Sequence, residues 1–198
     1  MAPGFVTAWP TDQTRPLASN LNFVANQTIP NLVIAKLSAS GQISLFNSAA
    51  SDLIGDAVAW FPTNSDLTPI TPARLVDTRA GGQTADGYNA GSGPVQGGNS
   101  YTFNVLGRGG VPTHGVNAVV LNVTATNPTA SGYLTVWPGN FTRPLTPNVN
   151  FVAGQTIPNL VIVQVNQYYY YYPTVAVYAS TGGKTDVIVD VVGWFVGQ

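Results

Sequence analysis

Residues 4–37 recur without a gap at 132–165, with about 21 of the 34 positions identical. A duplication this dense constrains the fold more than any other feature, because both stretches must be compatible with one supersecondary unit. The shared residues include Trp9 and Trp137, the T-R-P-L of Thr14–Leu17 and Thr142–Leu145, and the Q-T-I-P-N-L-V-I of Gln27–Ile34 and Gln155–Ile162. The match resumes where Asp52–Phe61 overlays Asp186–Phe195, so each copy closes on Trp-Phe. Residues 68–130 have no counterpart, and the chain reads B-A-B, with A between two copies of B. If the native unit is A followed by B, then 68–198 is one complete unit, and 1–67 is a half unit with its linker. The partner strands of that half unit must come from upstream sequence, from a neighbouring chain, or from the one A segment shared by both copies.

The architecture follows from what the chain lacks. All eight acidic residues are Asp, and Lys occurs only at Lys36 and Lys184, so the usual builders of solvated helix surface are nearly absent. Val, Thr, Tyr, Phe and Trp instead gather in short runs between clusters of Gly, Pro, Asn and Ser, as in antiparallel all-β proteins. Period-two alternation predicts strands at 74–79, 100–106, 118–126, 133–137, 149–152, 160–165, 174–179 and 186–195. About eight strands in such a length fit a β-sandwich with Greek-key or jelly-roll connections, and the N-terminal B is expected to add about four more.

Charge and composition narrow the function. The net charge is −1, from seven basic and eight acidic residues, and the basic ones are scattered singly, so neither nucleic acid nor an anionic membrane meets a basic stripe. No apolar run approaches the roughly 18 residues that span a bilayer, so no membrane insertion is expected. The absence of cysteine removes disulfides, thiolate metal sites and Cys nucleophiles. Met1-Ala2-Pro3 opens without a charged n-region or an apolar h-region, so no signal peptide is encoded in these residues.

The ordered motifs R-L-V-D-T-R at 74–79, G-R-G-G-V-P at 107–112, A-V-V-L-N-V-T-A-T at 118–126, S-G-Y-L-T-V-W-P at 131–138 and D-V-V-G-W-F at 190–195 carry a family likeness. The chain resembles a tandem β-sandwich module of secreted and cell-envelope proteins of actinobacteria and related bacteria. The resemblance covers 72–196, and its second half covers 4–61. It implies an extracellular or cell-surface setting and a non-catalytic role, and it supplies no catalytic or ligand residues.

Five consecutive tyrosines, Tyr168, Tyr169, Tyr170, Tyr171 and Tyr172, depart from that pattern, since the corresponding turn of the first copy, Ser38–Gly41, is shorter and carries no aromatic. Exposed tyrosines suit sugar rings and protein surfaces alike, although the rings of a lengthened hairpin can also pack on their own sheet. Trp9 and Trp137, at matched strand ends before Pro10 and Pro138, are candidate sugar platforms or duplicated core. Trp60 and Trp194 share a strand face with Ile54, Val58, Ile188 and Val192 and are expected in the core. Asp56 and Asp190 interrupt that apolar face, and a buried carboxylate needs a partner; Arg15, Arg143, Arg74 and Arg79 are the candidates. Calcium on Asp52 and Asp56, or on Asp186 and Asp190, is disfavoured because residues four apart on a strand lie ~13 Å apart.

Enzymatic readings lack their parts. His114 is the only imidazole, with no nucleophile motif beside it, and Gly107–Gly110 leads into Val-Pro and a strand instead of a helix. The expectation is a non-catalytic recognition or adhesion module without cofactor or metal, contacting a glycan or protein of the bacterial envelope through the tyrosine loop. The alternative is a structural subunit, a homo-oligomer, filament or surface layer completed by strand addition between chains.

Overall fold

A computed structural model describes residues 2–57, 59–62, 64–165 and 173–197. Among the described residues it is all-β with no helix, and 45% of them lie in strands. Twelve strands follow one another among the described residues: β1 (Gly4–Pro10), β2 (Leu21–Phe23), β3 (Ile43–Asn47), β4 (Leu67–Asp77), β5 (Val95–Gln96), β6 (Ser100–Asn104), β7 (Val116–Thr126), β8 (Gly132–Pro138), β9 (Val149–Phe151), β10 (Ile157–Gln164), β11 (Thr174–Thr181) and β12 (Lys184–Val196).

Residues 67–197 form a sandwich of two antiparallel sheets. One runs β10-β7-β12-β4, with the short β5 beside β12, and the other runs β6-β11-β8-β9. The pairs nest: β8 with β9, β7 with β10, β6 with β11 and β4 with β12. This is the order produced when one long antiparallel ribbon, with its turn between β8 and β9, rolls into two sheets, an eight-stranded jelly roll. Alternate residues of facing strands fill the space between the sheets. Leu121, Val123, Val187, Val189 and Val191 come from one side, and Leu134, Val175, Val177 and Phe103 from the other, all at most 3% exposed.

All eight strands expected in the complete unit are present, and β4 begins well before Arg74. Pro69 and Pro72 hide this extension in the sequence. They are tolerated because β4 is an edge strand whose register against β12 shifts twice, so missing amides cost no ladder bond in the sheet interior.

The N-terminal copy departs from expectation. It supplies three strands instead of four, in a small sheet ordered β2-β1-β3. These are the counterparts of β9, β8 and β11, in matching register: Trp9 faces Ser44 as Trp137 faces Ala176. The counterparts of β10 and β12 form no strand among the described residues. Partner availability explains the selection. The ladder of β9 is with β8, and β11 pairs with β8 as well as with β6, so these strands find partners within B. Among the described residues β10 pairs in a ladder only with β7, and β12 lies between β7 and β4, so every main ladder partner of these two belongs to A.

Candidate functional site

The half unit leans on the outer face of the larger sheet of the sandwich, with β2 near β10 and β1 near β4. Asp190 is the centre of this contact. It projects from β12 away from the valine core and has no solvent exposure. Its carboxylate accepts two bonds from Arg74, from Nε at 2.8 Å and from Nη2 at 3.2 Å. The amide of Ser19 in the half unit donates to the same group at 2.9 Å. Burial pushes the Asp190 carboxyl above its ordinary range, while Arg74 and the Ser19 amide pull it back.

The network extends through Asp77, which accepts from Arg79 Nε at 2.8 Å and from Arg74 Nη1 at 3.4 Å. That bond to Asp77 is the main cause that raises the Arg79 guanidinium further. Beside it, Asn122 Nδ2 donates to the Ser19 carbonyl at 2.6 Å, and Asn31 Nδ2 donates to Asn122 Oδ1 at 3.0 Å. Leu67, Val120 and Val192 form a second small core with Ile34 against them. The contact therefore combines a buried ion pair with a modest apolar patch.

The two copies keep the same local devices. Asn20 Oδ1 accepts from the Ala8 amide and Asn148 Oδ1 from the Val136 amide, each at 2.7 Å. Asn26 and Gly154 both turn the chain with positive φ, 60° and 74°. Trp9 Nε1 donates to the Gln13 carbonyl and Trp137 Nε1 to the Phe141 carbonyl, each at 3.0 Å.

The copies differ in what covers them. Val175 and Val177 of β11 are fully buried, whereas Ile43 and Leu45, at the same places on β3, are 43% and 53% exposed. Beyond β3, Leu37, Ile54, Trp60 and Phe61 are exposed as well, while Val165 and Ile188, the counterparts of the first two, are buried. The half unit thus leaves large apolar side chains on and beyond β3 open to solvent, while Val6 and Ala8 of β1 are buried. Large apolar side chains left in water where their counterparts are buried mark a candidate interaction surface.

The expected site residues distribute unevenly. Arg74 and Arg79 join the buried acid network, but the acid that Arg79 holds is Asp77. Arg15 and Arg143 do not pair with Asp56 or Asp190; their guanidinium carbons stand 3.8 Å from the Phe46 ring centre and 3.6 Å from that of Tyr178. A cation over an aromatic face needs no carboxylate partner. Asp56 is exposed, because the segment carrying it joins no sheet. Trp60, expected in the core, is 80% exposed for the same reason, while Trp194 packs against the core as expected.

Trp137 is buried, with its indole nitrogen committed to Phe141, so its ring is part of the packing and offers no sugar platform. Trp9 is half-buried with the matching bond to Gln13. Residues Tyr168–Tyr172 lie outside the described residues.

Sequence reasoning missed Arg108. Its guanidinium reaches Asp86 at 2.6 Å, the Leu75 and Asn104 carbonyls and the Asn89 side chain, stapling the 86–89 loop to the sandwich. The G-R-G-G surroundings signalled a turn, but not the convergence of acceptors that long-range folding brings there. Comparison with family models, with curated proteins and with solved structures returned no match.

Proposed function

We propose that this chain is a non-catalytic structural module of the bacterial cell surface, in which one complete jelly roll carries an open half unit that serves as an assembly joint. The observation that carries this reading is the contrast between β3 and β11: the same strand in two copies, with Val177 sealed in a core and Leu45 half in water. An apolar strand edge left open recruits further strands. The cell-surface setting rests on the resemblance of 72–196 to modules of secreted and envelope proteins.

Light scattering behind size exclusion, over a wide concentration range, tests the joint. The chain should associate as concentration rises, and replacing Ile43 and Leu45 with Thr and Ile54 and Trp60 with Ser should suppress association. A mass fixed at 20.7 kDa for both proteins at every concentration contradicts the reading.

A second reading is favoured by the tyrosine run, which has no equivalent in the turn at Ser38–Gly41. Tyr168–Tyr172 then contacts a glycan or protein partner, and the module adheres as well as assembles. Replacing all five by Ser should abolish retention on envelope glycans while leaving the melting temperature unchanged; retention by the variant excludes the loop as the contact.

A further inference from the structure

Building on the assembly-joint reading, we infer that the occupant of the open half unit is an A-type segment from outside these 198 residues: a polypeptide with the strand pattern of 68–130, which completes a second jelly roll. The partner is identified by what covers the sister copy. The eight residues Gln27–Ile34 are identical to Gln155–Ile162, and in the second copy Ile157–Gln164 pairs along its whole length with β7. The first copy carries the same strand sequence with no β7 to receive it. The stretch Asp52–Phe61 likewise matches Asp186–Phe195, which β7 and β4 hold between them. The face left open on β3, with Ile43 and Leu45, corresponds to the one whose residues Val175 and Val177 join the core against the larger sheet, in which β4 and β7 come from A. One donor pattern meets all three requirements: a β7-like strand between the two unpaired B stretches, a β4-like strand outside the second, and a β6-like strand at the free edge of β3.

Stoichiometry excludes a second copy of these 198 residues as the donor of that A segment, so association of the chain with itself joins open half units without completing them. These 198 residues hold two B segments and one A segment. If one chain's A segment swaps onto another's N-terminal B, it abandons its own C-terminal B, so one B per chain stays open however the copies exchange. Only an A-type segment not already matched to a B lowers the number of open half units. Acceptance would convert the coil at 29–36 and at the described residues 52–57 and 59–61 into strands, the state that their counterparts already occupy.

The test presents the donor directly. A second copy of residues 68–130 is fused through a flexible linker ahead of the full chain, giving the order A-B-A-B, and hydrogen exchange is followed at 29–36 and 53–61 together with acrylamide quenching of Trp60. Protection of both stretches should rise by about 100-fold or more, toward that of 157–164, and Trp60 should become shielded. A control carrying Asp at the added copy's equivalents of Leu121 and Val123 should lose the gain. If the control keeps it, crowding by the fusion is responsible and the inference is overturned. Unchanged exchange in a soluble fusion also overturns it. In that event, self-association of the unfused chain with shielding of Trp60 would retain the joint while assigning it a different occupant, and a strict monomer would remove the joint as well. If the fusion aggregates, the chain is refolded with a separate 68–130 peptide and read the same way, and absence of protection again overturns the proposal.

Discussion

The octapeptide Q-T-I-P-N-L-V-I occurs twice in this chain and has two structures. At Gln155–Ile162 it enters β10, where Ile157 faces Ala125 and Val161 faces Leu121 across a regular antiparallel ladder, and Val161 is 6% exposed. At Gln27–Ile34 it joins no sheet, and Leu32 and Val33 are 55% and 37% exposed. Identical local propensity has produced opposite outcomes, so the deciding term is the partner strand. A strand is stabilised by the ladder and the face it covers, and β-propensity expresses little more than fitness for such a place. The same rule sorts the whole half unit: strands with a partner inside B are formed, and those whose partners lie in A are not.

The largest expected break in the symmetry between copies lies at the matched acids. Asp190→Ala removes one partner of a buried, doubly bonded ion pair and leaves Arg74 with its longer bond to Asp77, which should cost about 3 kcal/mol in denaturant unfolding of the sandwich. Asp56→Ala at the equivalent place should leave the same curve unmoved, because Asp56 is exposed outside any sheet. Comparable losses from both would mean that the half unit is closed. The next effect is in packing: Val177→Ala should cost about 2 kcal/mol and Leu45→Ala less than about 0.5 kcal/mol, read as the shift in urea midpoint at constant slope.

Where the copies are alike, the responses should converge. Asn20→Ala and Asn148→Ala each free a strand amide, Ala8 and Val136, and each should lower the stability of its own sheet by about 1 kcal/mol, seen as faster exchange on β1 and β8 respectively. The smallest effect tests a feature of A alone. The Arg108 hydrogen bond holds the Asp86 carboxyl below its ordinary range. Its contribution is therefore present above the unfolded value near ~3.9 and is lost as pH falls through the window below it. Asp86 is partly exposed, so Asp86→Asn should cost less than about 1 kcal/mol at pH 7, with the difference from the parent chain fading toward pH 2.

Much of the sandwich was legible in the sequence because alternation reports burial on one face, and β6 to β12 lie where the apolar periods put them. The extension of β4 was not, since Pro69 and Pro72 read as breakers until an edge position accommodates them. The duplication identified the half unit but also misled. Matching Asp52–Phe61 to Asp186–Phe195 carried over a core role for Trp60 and a burial for Asp56 that belong to the partnered copy only. Arg15 and Arg143 stand among the candidate acid partners in sequence because sequence shows charge and not the aromatic ring that each guanidinium covers. Repetition of Trp9 and Trp137 fits a sugar platform and a duplicated core equally in sequence, and the bonds to Gln13 and Phe141 tie both indoles to their own copies.

Amide hydrogen exchange on the two octapeptides tests the partner-strand account most directly, since identical residues give nearly identical intrinsic rates and any difference reports structure. The account expects amides of 29–34 to exchange at least about 100-fold faster than those of 157–162 in the isolated chain. Equal protection at the two sites would contradict it, and would mean that the first copy finds its partner within these 198 residues.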